Sequence, residues 1–317
     1  MIDLLIVGAG PAGLAAAVQG ARDGLSVRLL SDEQPGGLVR AAFNVENWPG
    51  YPGGIAGNGV ADRLSGHAEQ FGVVCQRAFV EKVRWQGASF LADARFADGS
   101  VEYVESRTIL AATGTSPVAW TVEGLDGIPP SIAAERIHRD VRTLPVILSD
   151  SCVVVIGGGE AALDSALTAA ARGADVRVLV RGSQIRAGQR LTGMALAAGV
   201  TISTVCDVFK IEFDEAGRRL VLQIRPDPSG ISGAPGCAAV ERLFADQLLV
   251  CTGRIPNFDA FRNLLSGNGL PDDLATAHPA LFMAGDVIRG RDRFVATAVG
   301  DGVRAAILAA RYIKENQ

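Results

Sequence analysis

The feature that most limits how this chain can fold is a glycine turn within its first thirteen residues. Gly8-Ala9-Gly10-Pro11-Ala12-Gly13 is a complete G-x-G-x-x-G. It follows a short apolar strand expected over Asp3 to Val7, and it leads into helical spacing from Leu14 to Asp23 that stops at Gly24. A second strand is expected over Ser26 to Leu30. A glycine turn in that setting reads as a dinucleotide-binding βαβ unit. Gly8 allows the tight turn, Gly10 lets a pyrophosphate approach the backbone, and Gly13 lets helix and strand pack closely. The phosphates would rest on the helix N-terminus, where free N–H groups and the dipole favour an anion. The ribose calls for an acid at the end of the second strand. That strand runs into Ser31-Asp32-Glu33, so the contact falls to Ser31 or, one step later, Asp32.

A second unit begins at Cys152. An apolar strand over Val153 to Ile156 leads into Gly157-Gly158-Gly159-Glu160-Ala161-Ala162, which fits G-x-G-x-x-A. A helix from Ala161 to Arg172 stops at Gly173, and Asp175 to Val180 is the next strand. No acid follows it; the chain continues Arg181-Gly182-Ser183-Gln184-Ile185-Arg186. Arginine there accommodates the 2′-phosphate of NADP, which an acid would repel. The plainer reading is that Arg181 and Arg186 only solvate a loop. Two dinucleotide motifs in one chain imply two nucleotides, and their order points to electron transfer between FAD and a nicotinamide.

Composition agrees with a two-domain α/β chain. At 317 residues with 48% apolar and 20% charged residues, there is ample material for packed cores. A net charge of −4 leaves no basic footprint for nucleic acid. No apolar run approaches the roughly 20 residues that span a bilayer, and Met1-Ile2-Asp3-Leu4 lacks the basic start of a signal peptide. A cytoplasmic protein is the expectation. The cysteines, Cys75, Cys152, Cys206, Cys237 and Cys251, include no C-x-x-C and no metal-ligand spacing, so single buried thiols are expected. Residues 226–237, rich in Pro, Gly and Ser, read as a surface hairpin or loop.

Taken together, Gly8, Gly10 and Gly13, then Gly36-Gly37-Leu38, Glu46-Asn47-Trp48-Pro49-Gly50, Ala112-Thr113-Gly114, Gly157 to Ala162 and Ala284-Gly285-Asp286 resemble the thioredoxin reductase family of flavoproteins. The resemblance covers essentially the whole chain. It implies two Rossmann-like, doubly wound nucleotide domains, with an FAD domain of residues 1–116 and 248–317 interrupted by an NAD(P) domain of residues 117–247. FAD would contact Gly8, Gly10, Pro11, Ala12, Gly13, Ser31, Asp32, Gly36, Gly37, Leu38, Asn47, Ala112, Thr113, Gly114, Gly285, Asp286, Phe294 and Val295, with Asp286 on the ribityl chain. NADPH would contact Gly157, Gly159, Glu160, Ala161, Arg181 and Arg186. A homodimer is implied as well.

Two departures change the expected chemistry. Where the family carries its redox-active Cys-x-x-Cys, this chain reads Ile137-His138-Arg139-Asp140-Val141-Arg142-Thr143, with Arg139 and Arg142 at the cysteine positions. Without a dithiol there is no thiolate to attack a disulfide. Where the family has Arg-Gln-Ala before its last helix, this chain has Arg293-Phe294-Val295, and phenylalanine can pack or stack but cannot hydrogen-bond a flavin. A final helical stretch is read from Gly302 to Tyr312, with its positive end near Gly300-Asp301-Gly302 aimed at the ring. The cluster His138, Arg139, Arg142 has three readings: a solvated structural loop, a dock for an acidic redox protein such as a ferredoxin or flavodoxin, or a holder of an anionic small substrate. The leading expectation is an FAD-dependent NAD(P)H oxidoreductase that passes electrons from the flavin directly to an external acceptor. Alternatives are a flavin-dependent thiol/disulfide oxidoreductase acting on a small substrate, and a non-catalytic flavin-binding sensor or partner subunit.

Overall fold

The computed structural model describes residues 1–214, 219–226, 240–265, 278–290 and 292–316. Apart from Pro226, the loop expected over 226–237 lies outside the described residues, as does Cys237. The strands are β1 (Ile2–Val7), β2 (Val27–Ser31), β3 (Cys75–Trp85), β4 (Phe90–Phe96), β5 (Val101–Ala111), β6 (Thr115–Pro117), β7 (Ile137–His138), β8 (Cys152–Ile156), β9 (Asp175–Leu179), β10 (Thr201–Ser203), β11 (Cys206–Phe213), β12 (Leu220–Pro226), β13 (Glu241–Ala245), β14 (Gln247–Val250), β15 (Arg254–Pro256) and β16 (Leu281–Met283). The helices are α1 (Pro11–Arg22), α2 (Gly57–Gln70), α3 (Pro130–Arg136), α4 (Glu160–Ala171), α5 (Gln189–Ala197) and α6 (Val295–Glu315). The architecture is α/β, and the chain divides into two units.

The first unit comprises residues 1–40, 44–116 and 254–317. Its parallel sheet runs β3-β2-β1-β5-β16, with Leu4 of β1 opposite Val27 of β2 and Thr108 of β5. Leu4, Leu5 and Ile6 are fully buried, as a strand covered on both faces requires. Long strands β3 and β5 outrun the parallel region, and β4 joins them as an antiparallel meander. Helix α1 stops where Gly24, at φ +82°, takes the left-handed conformation after the C-cap Asp23. Helix α6 buries a stripe of small residues, Ala298, Gly302, Ala305, Ala306 and Ala309, and packs against α1. It begins at Val295, seven residues before the expected Gly302. Gly300-Asp301-Gly302 therefore lies inside the helix, and the positive end is at Phe294 and Val295.

The second unit comprises residues 41–43 and 117–253. Its parallel sheet runs β10-β9-β8-β14-β7. Alternate residues face opposite cores: Val153, Val155, Val176 and Val178 meet helix α4, while Val154, Leu179 and Leu248 meet the antiparallel strands β11 and β12. Strand β14 lies between β8 and β7, which keeps residues 248–253 in this unit rather than the first. The division thus falls after 253 instead of after 247. Residues 41–43 are held by the Phe43 N–H, which donates to Asp164 Oδ2 at 2.9 Å. Among the described residues no helix is long and apolar enough to cross a membrane.

Candidate cofactor sites

In the first unit, the ends of β1, β2, β5 and β16 carry most of the residues expected to meet FAD. Gly8, at φ +105°, leaves no room for a side chain: a Cβ would lie 2.3 Å from the Ala112 carbonyl oxygen. A Cβ on Gly13 would lie 1.9 Å from the Gly8 oxygen. Gly10 is the N-cap of α1, with no side-chain cap, and nothing lies within 4 Å of where its Cβ would be. Pro11 opens the helix, where its missing N–H costs nothing. The first-turn N–H groups thus face open space beside a bare backbone, which fits a pyrophosphate. Gly36 N–H donates to the Ala9 carbonyl at 2.7 Å, and Gly37 lies over Gly10, bringing the second glycine pair onto the first turn. Leu38 follows, half-buried.

Around this turn, Ser31 ends β2 buried, its hydroxyl accepting the Glu33 N–H at 3.3 Å, while Asp32 is exposed. Asn257 N–H donates to the Gly114 carbonyl at 3.0 Å, and the Asn257 amide donates to the Thr113 carbonyl at 3.3 Å. Gly285, at φ +79°, presses on Ala12, where an added Cβ would meet the Ala12 Cβ at 2.8 Å. Asp286 follows it; burial pushes its carboxyl up from the usual range, against the pull of Arg293 and Arg254. Phe294 sits at the N-cap of α6, 41% exposed, with Val295 opening the helix. Asn47 is exposed on a loop closed by the Val45–Ile55 bridge, where Val45 N–H donates to the Ile55 carbonyl at 2.8 Å.

The second unit repeats the turn. Gly157, at φ +137°, would place a Cβ 2.4 Å from the Cys251 carbonyl oxygen. Gly159 is the uncapped N-cap of α4 with nothing within 4 Å. Glu160 reaches sideways, its carboxylate accepting the Gly188 N–H at 2.7 Å, and Ala161 completes the first turn. The loop after β9 is tied back as well: the N–H groups of Arg186 and Ala187 donate to the Gly158 carbonyl at 2.7 and 3.1 Å. Sequence reasoning missed both ties, which depend on a loop shape that no motif encodes. Arg181 and Arg186 are exposed, and among the described residues neither side chain makes an ion pair or hydrogen bond. Two exposed guanidinium groups on a loop whose backbone is tied to the Gly158 carbonyl fit a phosphate on the ribose.

The cluster at 138–142 is built as structure. His138 is 4% exposed; its Nδ1 pairs with Thr143 Oγ1 at 2.8 Å and its Nε2 with Gln247 Oε1 at 2.7 Å. Both ring nitrogens are engaged inside the unit, leaving none for a proton transfer to substrate. Arg139 donates to the Val118 carbonyl at 2.7 Å, and Arg142 pairs with Asp140 at 2.5 Å. These contacts match the structural-loop reading, with the positive charge of Arg142 neutralised locally. Of the described cysteines, burial pushes the Cys75 thiol up to about 11 and also raises Cys152. Cys206 is buried, and Cys251 follows β14.

A family model described as pyridine nucleotide-disulphide oxidoreductase matches residues 2–302. A "34.2 kDa protein in rubredoxin operon" of Clostridium pasteurianum is 26% identical over 318 residues, covering 98% of this chain and 97% of the relative. A thioredoxin reductase of Listeria monocytogenes is 28% identical over 328 residues, covering 99% and 94% respectively. Among solved structures, the thioredoxin reductase of Lactococcus lactis in its FR conformation superposes with a TM-score of 0.85 at 23% identity, covering 99% of this chain and 100% of that one. At that identity the structural likeness bears on the fold alone.

Proposed function

The chain belongs to the pyridine nucleotide-disulphide oxidoreductase family and is an FAD-dependent oxidoreductase served by FAD and NADPH, and from that premise we propose that it delivers electrons from the flavin directly to an external acceptor. Bound FAD supplies the two-electron chemistry between the nicotinamide and that acceptor. The observation that carries the reading is the segment 138–143, where arginines and a buried histidine hold the fold and no thiol is present. The thiols that are described are half-buried or, for Cys206, buried, and the two that shift are raised, the reverse of an attacking thiolate.

The chain's own groups bind and orient. The Gly10 turn would hold the pyrophosphate of FAD, and Asp286 would accept from its ribityl hydroxyls. Asn47, Thr113 and Gly114 would line the flavin side, with Phe294 packing where a glutamine would hydrogen-bond. The Gly159 turn would hold NADPH, with Arg181 and Arg186 for the 2′-phosphate. The rubredoxin operon of the Clostridium relative favours a small redox protein as acceptor. Rubredoxin, ferredoxin and flavodoxin are the candidates, and a homodimer is the assembly expected from the thioredoxin reductase relatives.

The test is anaerobic stopped-flow of the wild type and of a variant with all five cysteines replaced by serine. Flavin bleaching near roughly 450 nm by NADPH, followed by reoxidation with a small redox protein at equal rates in both, is the expected result. An acceptor step lost with the cysteines would overturn it.

A further inference from the structure

Asp301 is an acid in the middle of the small-residue stripe of α6, 6% exposed in a helix face otherwise built of Ala and Gly. Burying a carboxylate there is costly unless it is paired and hydrogen-bonded. Both conditions are met. Arg289 grips it with two bonds, Nε to Oδ2 at 2.9 Å and Nη2 to Oδ1 at 2.5 Å. Gly285 N–H donates to Oδ2 at 3.3 Å.

The position of that third bond matters more than its strength. Gly285 opens the turn Gly285–Val287 that carries Asp286. The next residue of the helix, Gly302, would place a Cβ 2.0 Å from the Ala12 carbonyl oxygen, and Gly285 itself abuts Ala12. So the first turn of α1, the Asp286 turn and α6 meet at one point, and Asp301 is the polar group that joins the last two. The clamp extends outward through Arg289, whose carbonyl accepts from Arg293 Nε at 2.8 Å. Arg293 in turn reaches the Arg254 carbonyl at 3.5 Å, and Arg254 Nε donates to Thr115 Oγ1 at 2.8 Å.

We propose that the Asp301–Arg289 ion pair is a positioning device for FAD: through Gly285 it holds the Asp286 turn closed on the first turn of α1. Asp301 acts through another residue and does not itself touch the cofactor. The inference rests on the placement of FAD at the Gly10 turn proposed above.

The experiment measures FAD release from full-length holoenzyme on dilution, read by flavin fluorescence, with the visible circular dichroism of the bound flavin and the affinity for NADP⁺ measured alongside. Asp301→Ala removes the clamp and Arg289→Met removes only its outer half. Loss of a hydrogen bond to a charged group corresponds to about tenfold or more, so FAD affinity is expected to fall about tenfold in Asp301→Ala and at least as much in Arg289→Met, which leaves the Asp301 carboxylate buried and unpaired. The flavin dichroism should change in both, with NADP⁺ affinity unaltered. Should either variant not fold, Asp301→Asn, which keeps the shape and an acceptor oxygen but removes the charge, carries the same test. FAD affinity within twofold of wild type, or FAD and NADP⁺ affinities falling together, would overturn the proposal. A Gly10→Ala variant that releases FAD no faster than wild type would overturn the placement of FAD instead.

Discussion

The chain builds the same turn twice, and the two copies differ in telling places. Gly8 and Gly157 both carry positive φ, and each would drive a Cβ into the carbonyl of the next parallel strand, Ala112 in one case and Cys251 in the other. Gly10 and Gly159 both cap a helix in extended conformation over open space. The third position differs: Gly13 allows no side chain against the Gly8 oxygen, whereas Ala162 carries a buried methyl at the matching place. The first helix is additionally pinned by α6 through Gly302, which requires α1 to present bare backbone. In the proposed reading the nucleotide is selected elsewhere, by Ser31-Asp32 at the end of one second strand and by Arg181 and Arg186 after the other. The turn makes an anion site, and the strand end decides which anion.

Exchanging the third positions breaks the comparison most severely. Gly13→Ala must displace the Gly8 carbonyl and is expected to cost about 3 kcal/mol or more, leaving little folded, flavin-bearing protein. Ala162→Gly leaves a cavity no larger than a methyl and should cost about 1 kcal/mol. Thermal melting and the yellow absorbance of the purified variants report both. Equal losses would show that the two helices are packed alike.

The open positions separate folding from binding. Gly10→Ala and Gly159→Ala add a methyl where nothing lies within 4 Å, so melting should move little. Each methyl stands where a pyrophosphate would meet the backbone. FAD affinity should fall about tenfold or more in the first, and NADPH affinity by a similar factor in the second, each leaving the other nucleotide alone. Titration of both nucleotides against both variants checks the assignment, and crossed effects would reverse it.

Next in size is the strand-end difference. Removing two charge-assisted contacts made by exposed side chains, at about 1 kcal/mol each, predicts that Arg181→Ala with Arg186→Ala lowers the preference for NADPH over NADH by roughly 30-fold. The KM for NADH should be nearly unchanged. A preference unmoved by the double variant would return both arginines to the solvated-loop reading.

What could be read in advance follows from how local each signal is. The two glycine turns were legible because each glycine answers a steric demand made within a few residues or by the next strand. Strand β3 carried no readable period: a bulge between Val80 and Lys82 shifts the register, so its buried residues do not alternate throughout. The start of α6 was misplaced because its N-cap is Phe294, which offers no capping oxygen, while Gly300 and Gly302 resemble a break but serve helix packing. Asp301 was legible only as a charge within that stretch. Its partners, Gly285 and Arg289, become visible once α6 is laid on α1. His138 misled in the opposite direction, since its two hydrogen-bond partners lie 5 and 109 residues away.

The smallest effect compares two half-buried thiols, one in each unit. Cys75 starts β3, and burial lifts its pKa to about 11, opposed by Arg77. Cys152 starts β8, where burial and the nearby Asp175 raise it. In both, the folded state holds the proton more tightly than the unfolded chain does. The stabilisation from the neutral thiol is therefore complete below the unfolded value of 9.0 and is lost as pH climbs toward the folded value, about 11 for Cys75. Iodoacetamide should label Cys75 slowly at pH 8, with the rate rising steeply above pH 9 and levelling only near 11. Mass spectrometry of the labelled peptides follows Cys75 and Cys152 in one experiment. Rapid labelling of either at pH 8 would reveal a reactive thiolate and reopen thiol chemistry for this chain; slow labelling of both leaves the flavin as the group that meets the acceptor.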